Sequence, residues 1–181
     1  MAEKMAPRKI KIYVSYGKSE IDIPFVYNLV QSIENSSKAE IDFLLDEKLP
    51  VGGDITSFIN QINESSFVLL FLSHLYKKNL ENRIGRSHIE FDLIIKRYKS
   101  ILKQRSNFSQ TYPDGTRIHR PESVFIIPIL LDGEFNDVCP EEISHLKYYD
   151  FRKFRSLGFF ESSSFIPKSL TRKELSDFSP L

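Results

Sequence analysis

The sequence predicts an α/β fold, a doubly wound parallel sheet of five strands in the order 2-1-3-4-5. Three observations carry that expectation. Ile10, Ile12 and Val14 alternate with Lys11, Tyr13 and Ser15, the period of a strand. Phe67–Leu72 is apolar at every position, as in a strand buried on both faces of a parallel sheet. Elsewhere apolar residues fall at helical spacing, so strands and helices alternate along the chain. Right-handed crossovers then leave few topologies.

The elements follow in order. After the first strand, Phe25, Val26, Leu29, Val30 and Ile33 form the stripe of an amphipathic helix. Asp22 is placed to cap it, and Pro24 falls in the first turn, where a missing N–H does no harm. Residues 41–45 read as the second strand. Residues 46–54 read as a loop, with Pro50, Gly52 and Gly53 as breakers. Asp54 caps a second helix whose apolar positions are Ile55, Phe58, Ile59 and Ile62. A polar stretch over 73–87 follows the third strand. Phe91, Ile94, Ile95, Tyr98, Ile101 and Leu102 then mark a third helix. Residues 103–122 are polar and irregular, with a turn signal at Tyr112-Pro113-Asp114-Gly115. Residues 124–131 read as the fourth strand, where Pro128 demands a ladder position that uses no donor. Pro140-Glu141-Glu142 opens a short helix, and residues 148–151 form the fifth strand. The expected domain, flavodoxin-like in topology, covers 10–154. A short lead, 1–9, precedes it. A Ser- and Phe-rich tail, 155–181, does not read as a clean helix.

A chain of 181 residues suits one domain with a sizeable core. Hydrophobic residues make up 41% and the formal net charge is +1, so no global field argues for direct contact with nucleic acid or a membrane surface. The single cysteine, Cys139, permits no intrachain disulfide and fits a reducing compartment. The first eight residues are polar and lack a signal-peptide core. The longest apolar run, Phe67–Leu72, is far too short to span a bilayer. A cytoplasmic location is expected.

In a sheet of this order, connectivity reverses between the first and third strands, and ligands bind in the crevice beyond their carboxyl ends. Residues 15–20 and 73–90 line that crevice, with the 46–54 loop next door. Several chemistries are excluded. There is no G-x-G-x-x-G after the first strand, only Gly17, and no G-x-x-x-x-G-K-[ST] anywhere. A phospho-acceptor receiver needs carboxylates where these strands end in Ser15-Tyr16 and Ser73-His74. The four histidines show no metal-ligand spacing, and one cysteine cannot complete a zinc site. Cys139 lies beside a proline and two acids, which would not activate a thiol.

Glu90 is left as the carboxylate at the switch point. Two structural readings compete with a catalytic one. Ser87-His88-Ile89-Glu90 is a capping-box pattern, in which Glu90 would serve its own helix terminus. An ion pair with Arg86 or Arg97 is the other.

Taken together, these residues resemble a TIR (Toll/interleukin-1 receptor) domain from about residue 10 to residue 151. Ile12-Tyr13-Val14-Ser15-Tyr16 is similar to the family's first conserved box. Gly52-Gly53-Asp54-Ile55 closes a segment similar to the loop after its second strand. Leu72-Ser73 and Tyr76 resemble the third strand and its exit. Residues 87–91 fall at its W-x-x-x-E segment, and Ile126-Ile127-Pro128-Ile129-Leu130 is similar to its fourth strand. The resemblance implies one of two activities. Some family members cleave NAD+, by hydrolysis or cyclisation, in immune or antiviral systems. Others are non-catalytic adaptors that act through TIR–TIR contacts.

Under the first implication Glu90 matches the essential glutamate. Ser15, Tyr16, Lys18, Leu44, Leu45, Asp46 and Arg86 would line the substrate site, with Lys18 meeting the pyrophosphate. NAD+ would be substrate, with no cofactor and no metal. Leu49, Pro50, Val51, Gly52 and Gly53 would form the assembly loop, joining copies of the chain or other TIR domains. A sensor domain or protein would be a further partner. The family's tryptophan corresponds to Arg86, whose planar guanidinium replaces a ring only in part. The plainer readings stay open: Lys18 as a solvated surface lysine, Leu44 and Leu45 as core, the loop as an exposed turn. Arg105, Arg117, His119 and Arg120 read as a solvated loop or a partner contact. A nucleoside-processing enzyme, such as a deoxyribosyltransferase relative, is a further alternative on a similar sheet.

Overall fold

A computed structural model describes residues 9–37, 40–106 and 124–156. It contains a five-stranded, all-parallel sheet in the order β2-β1-β3-β4-β5, a flavodoxin-like α/β architecture. The strands are β1 (Ile10–Ser15), β2 (Ile41–Leu44), β3 (Phe67–Leu72), β4 (Ile126–Leu130) and β5 (Tyr149–Asp150). The helices are α1 (Asp22–Ser36), α2 (Ile55–Asn60), α3 (His74–Glu81), α4 (Ser87–Ser106), α5 (Phe135–Val138) and α6 (Arg152–Ser156). Short 3-10 turns cover Asp46–Lys48, Gln61–Glu64 and Glu141–Ile143.

The alternation of side chains along each strand splits the core in two. On one face, Ile12, Val14, Phe43, Leu69, Phe71 and Ile129 pack against Phe25, Val26, Leu29 and Val30 of α1. On the other, Tyr13, Val68, Leu70, Leu72, Ile126 and Leu130 pack against residues of α2, α4 and α5, with Tyr76 of α3. All six side chains of β3 are therefore buried, which accounts for a strand with no polar position.

Pro128 sits inside β4, opposite Leu70 of β3. Phe125 and Leu131 bond toward β3, whereas Leu130 accepts from Phe151 on the β5 side. Parity turns the Pro128 nitrogen toward β5, whose pairing begins only at Ile129↔Tyr149. The missing donor falls just ahead of that ladder, as a proline in a strand requires.

Four local features differ from the sequence reading. The polar stretch after β3 contains α3, started by Ser73, whose hydroxyl accepts from the Tyr76 N–H at 3.2 Å. Helix α2 gives way to a 3-10 turn after Asn60, which carries Ile62 into the core. Helix α6 crosses the expected domain boundary at 154, and its Arg155 donates to buried Asp22 of α1 at 2.8 Å. Asp54 caps α2 as expected, accepting from Thr56 N–H and Ser57 N–H. Asp22 makes no side-chain cap on α1. No helix among the described residues is long and apolar enough to cross a membrane. Residues 107–123 and 157–181, with the readings placed on Arg117, His119, Arg120 and most of the tail, lie outside the described residues.

Candidate functional site at the β1/β3 switch point

Strands β1 and β3 are neighbours, and the chain leaves them toward opposite faces, so the crevice between their carboxyl ends is open for side chains. β1 ends at Ser15, whose side chain is buried. Its Oγ donates to Oε2 of Glu90, in the first turn of α4, at 2.8 Å. The same Oγ stands 3.2 Å from the Tyr76 hydroxyl of α3. One hydroxyl at the tip of β1 thus gathers two side chains from elements far along the chain.

Glu90 is 7% exposed. Burial pushes its carboxyl above the usual carboxylate range. The Ser15 hydrogen bond and the charges of Lys18 and Arg86 pull it partly back. Tyr13 of β1 completes the surroundings. Its hydroxyl lies close enough to Glu90 for burial and that carboxylate to raise its pKa, yet it makes no hydrogen bond of ordinary geometry among the described residues. Tyr76 is fully buried and raised for the same leading reason. The cluster is a carboxyl group walled by three hydroxyls.

This geometry corrects both structural readings of Glu90. Its carboxylate reaches across the fold to Ser15 rather than back to its own helix terminus; the Glu90 N–H bonds the Arg86 carbonyl at 3.0 Å. Neither nearby arginine pairs with it directly. Arg86 donates to Asp46 at 3.0 Å. Arg97 donates to the Ile62 carbonyl and lies over the Phe125 ring, 4.9 Å from its centroid.

Above Glu90 sits an ion cluster. Asp46, which opens the 3-10 turn after β2 and has a nearly buried side chain, holds both Lys18 and Arg86, and Lys18 also lies 3.5 Å from Glu47. Lys18 is solvent-exposed, as its plainer reading held, and is at the same time paired with Asp46 and Glu47. It and Arg86 are cations held by one carboxylate, close enough to Glu90 to oppose the rise in its pKa.

The remaining residues separate. Tyr16 is buried in the α1-side core with Leu45, and its hydroxyl faces Glu47. Leu44 packs, half-buried, on the opposite core. Both leucines therefore serve packing, as their plainer reading held. Leu49 covers the same core as Leu44. Pro50 to Gly53 form a turn closed by the Gly53 N–H on the Pro50 carbonyl at 2.9 Å. Gly52, with φ +84°, fills the third position, where a type II turn needs positive φ. Val51 is fully exposed at its tip.

Two contributors escaped sequence reasoning. The sequence marks Tyr76 only as part of the third strand's exit, and its contact with Ser15 needs the tertiary fold. Gly17 reads as a lone glycine, but a Cβ there would lie 2.8 Å from the Tyr76 backbone nitrogen. It lets the chain leaving β1 pass against the start of α3, which brings Tyr76 to Ser15.

Further along the same edge, His74 Nδ1 stands 3.0 Å from Asp132. Arg152 pairs with Asp150 and Glu134. No group of three or more His, Cys, Asp or Glu side chains among the described residues is arranged to hold a metal ion. No protein-family model matches this chain, and no curated protein matches it.

Proposed function

We propose that this chain is a TIR domain that cleaves NAD+ at the bond between nicotinamide and ribose, by hydrolysis or cyclisation, after self-assembly. The observation that carries the reading is Glu90, a buried carboxyl group fixed by Ser15 at the switch point of the sheet.

The chemistry asks for such a group. Nicotinamide leaves as a neutral molecule, taking the electron pair of the C–N bond. The demand falls on the sugar carbon, which acquires oxocarbenium character. A carboxylate held beside that carbon in a dry site stabilises the charge far more than it would in water. Water, or an internal nucleophile of the same dinucleotide, then completes the substitution. Ser15 and Tyr76 hold Glu90 in one orientation. Lys18 and Arg86 supply positive charge for the pyrophosphate, which competes with Asp46 for them. The exposed Val51 turn suits contact with a second copy. The setting would be immune or antiviral signalling in the cytoplasm.

A second reading, a non-catalytic adaptor, is favoured by one observation. Asp46 ties up both cations over Glu90, and Arg86 stands where the family has a ring to stack. It predicts that changes at Pro50 or Val51 abolish association while Glu90 is dispensable.

The test is nicotinamide release from NAD+ at high protein concentration, with assembly followed by light scattering. Glu90→Gln is expected to lower release by about a hundredfold or more while folding and assembling normally. Equal release by both proteins refutes the role of Glu90. Silence of an assembled wild type favours the adaptor.

A further inference from the structure

Lys18 and Arg86 meet on a single atom. Oδ2 of Asp46 takes the Lys18 ammonium and, at 3.0 Å, a terminal nitrogen of the Arg86 guanidinium. One anionic oxygen between two cations is also what a phosphoryl oxygen would make with the same pair. The three side chains come from the segment after β1, the 3-10 turn after β2 and the residue before α4. Only the fold brings them together.

Exposure is uneven within the cluster. The Asp46 side chain is 8% exposed, those of Lys18 and Arg86 39% and 37%. A dissolved anion can therefore reach the cations while the acid that holds them stays covered. The rest of the Arg86 fork makes no hydrogen bond among the described residues, which leaves N–H groups for a second oxygen. The backbone of Asp46 is pinned, because its carbonyl accepts from the Leu49 N–H at 2.9 Å. Releasing the cations needs only a rotation of the Asp46 side chain. Both cations also act on Glu90, so whatever holds them is felt there.

We propose that Asp46 is an autoinhibitory counter-ion: in the resting chain its carboxylate occupies the place of a diphosphate group, which must displace it to bind between Lys18 and Arg86. The choice of ligand rests on the reading of the preceding subsection; the exchange itself does not involve Glu90. A carboxylate carried by the chain competes at an effective concentration of about millimolar or higher. It lowers the apparent affinity for any anion by the fraction of chains whose cations are free. A diphosphate brings more charge and two phosphoryl groups, one for each cation, so it can win the exchange.

The probe is inorganic pyrophosphate, titrated into the full chain by calorimetry in metal-free buffer at low ionic strength. Asp46→Asn keeps the shape of the side chain and removes its charge, and is expected to bind pyrophosphate about tenfold more tightly than the wild type. Adding Lys18→Gln and Arg86→Gln to that variant abolishes the gain. Glu20→Gln removes the same charge from an exposed position between β1 and α1, without touching the pair, and changes affinity by less than about twofold. In the wild type, the carboxyl carbon-13 signal of Asp46, assigned by its loss in Asp46→Asn, shifts to saturation as pyrophosphate binds. A silent titration, an Asp46 signal that stays in place, an Asp46→Asn protein that binds no more tightly, a gain matched by Glu20→Gln, or a gain that survives loss of both cations overturns the proposal. Nicotinamide release enters none of these readings: its absence would sink the enzyme and leave the counter-ion standing, and a silent pyrophosphate titration of an active enzyme would do the reverse.

Discussion

Two halves of the same sheet edge treat charge in opposite ways. Around β4 and β5, apart from Arg155, which reaches buried Asp22 of α1, the ion pairs stay in water: His74 and Asp132 pair with side chains 63% and 40% exposed, and Arg152 meets Asp150 and Glu134 at the surface. Beyond β1 and β3, Glu90 is taken inside, fixed by a serine hydroxyl and roofed by cations that Asp46 holds. Asp132 is lowered by its histidine, whereas Glu90 is raised by burial. A carboxylate near a cation is common and stabilises little when solvated. One that is dry and hydroxyl-bound is costly to build, and that cost singles out the β1/β3 half as the candidate site.

Under the proposed function, nicotinamide release tests that contrast most sharply: Glu90→Gln should lose it, and equal release by variant and wild type would break the contrast. Next comes Gly17→Ala, whose new methyl group meets the backbone of α3. It is expected to cost about 1–3 kcal/mol in chemical denaturation and to displace Tyr76 from Ser15. A neutral result would mean that α3 adjusts freely. Ser15→Ala strips Glu90 and Tyr76 of their shared partner, and about 1–2 kcal/mol of stability should go with it. On the solvated half, Asp132→Asn should change stability by no more than about 0.5 kcal/mol, because the pair it breaks is mostly in water. If that variant proved as damaging as Ser15→Ala, the two halves would not differ as described.

The sequence carries the sheet well and the site only in part. Alternation in β1, six apolar residues in β3 and glycine-marked turns are local signals, and the strand order follows from them. Helix α3 was hidden because it is eight residues long and only Tyr76 is fully buried. Ser73, a good cap residue followed by Leu75, Tyr76 and Leu80, was the available sign of it. Glu90 was found by topology, but its partner was not. The S-x-x-E pattern pointed to a local cap, whereas the bond that forms spans 75 residues. Lys18 likewise carries no mark of its pairing with Asp46, since no local period connects β1 to the end of β2.

The comparison rests on the protonation of Glu90, and its titration can be followed by carbon-13 NMR of glutamate-labelled protein, with Glu90→Gln to assign the signal. The account predicts a midpoint above about 4.3, the ordinary glutamate value. Because the folded state then holds its proton longer than the unfolded chain, the ionisation of Glu90 lowers stability as pH rises from that value through the folded midpoint. A midpoint at or below the ordinary value would contradict it, and would make Glu90 one more ion-paired carboxylate under Lys18 and Arg86.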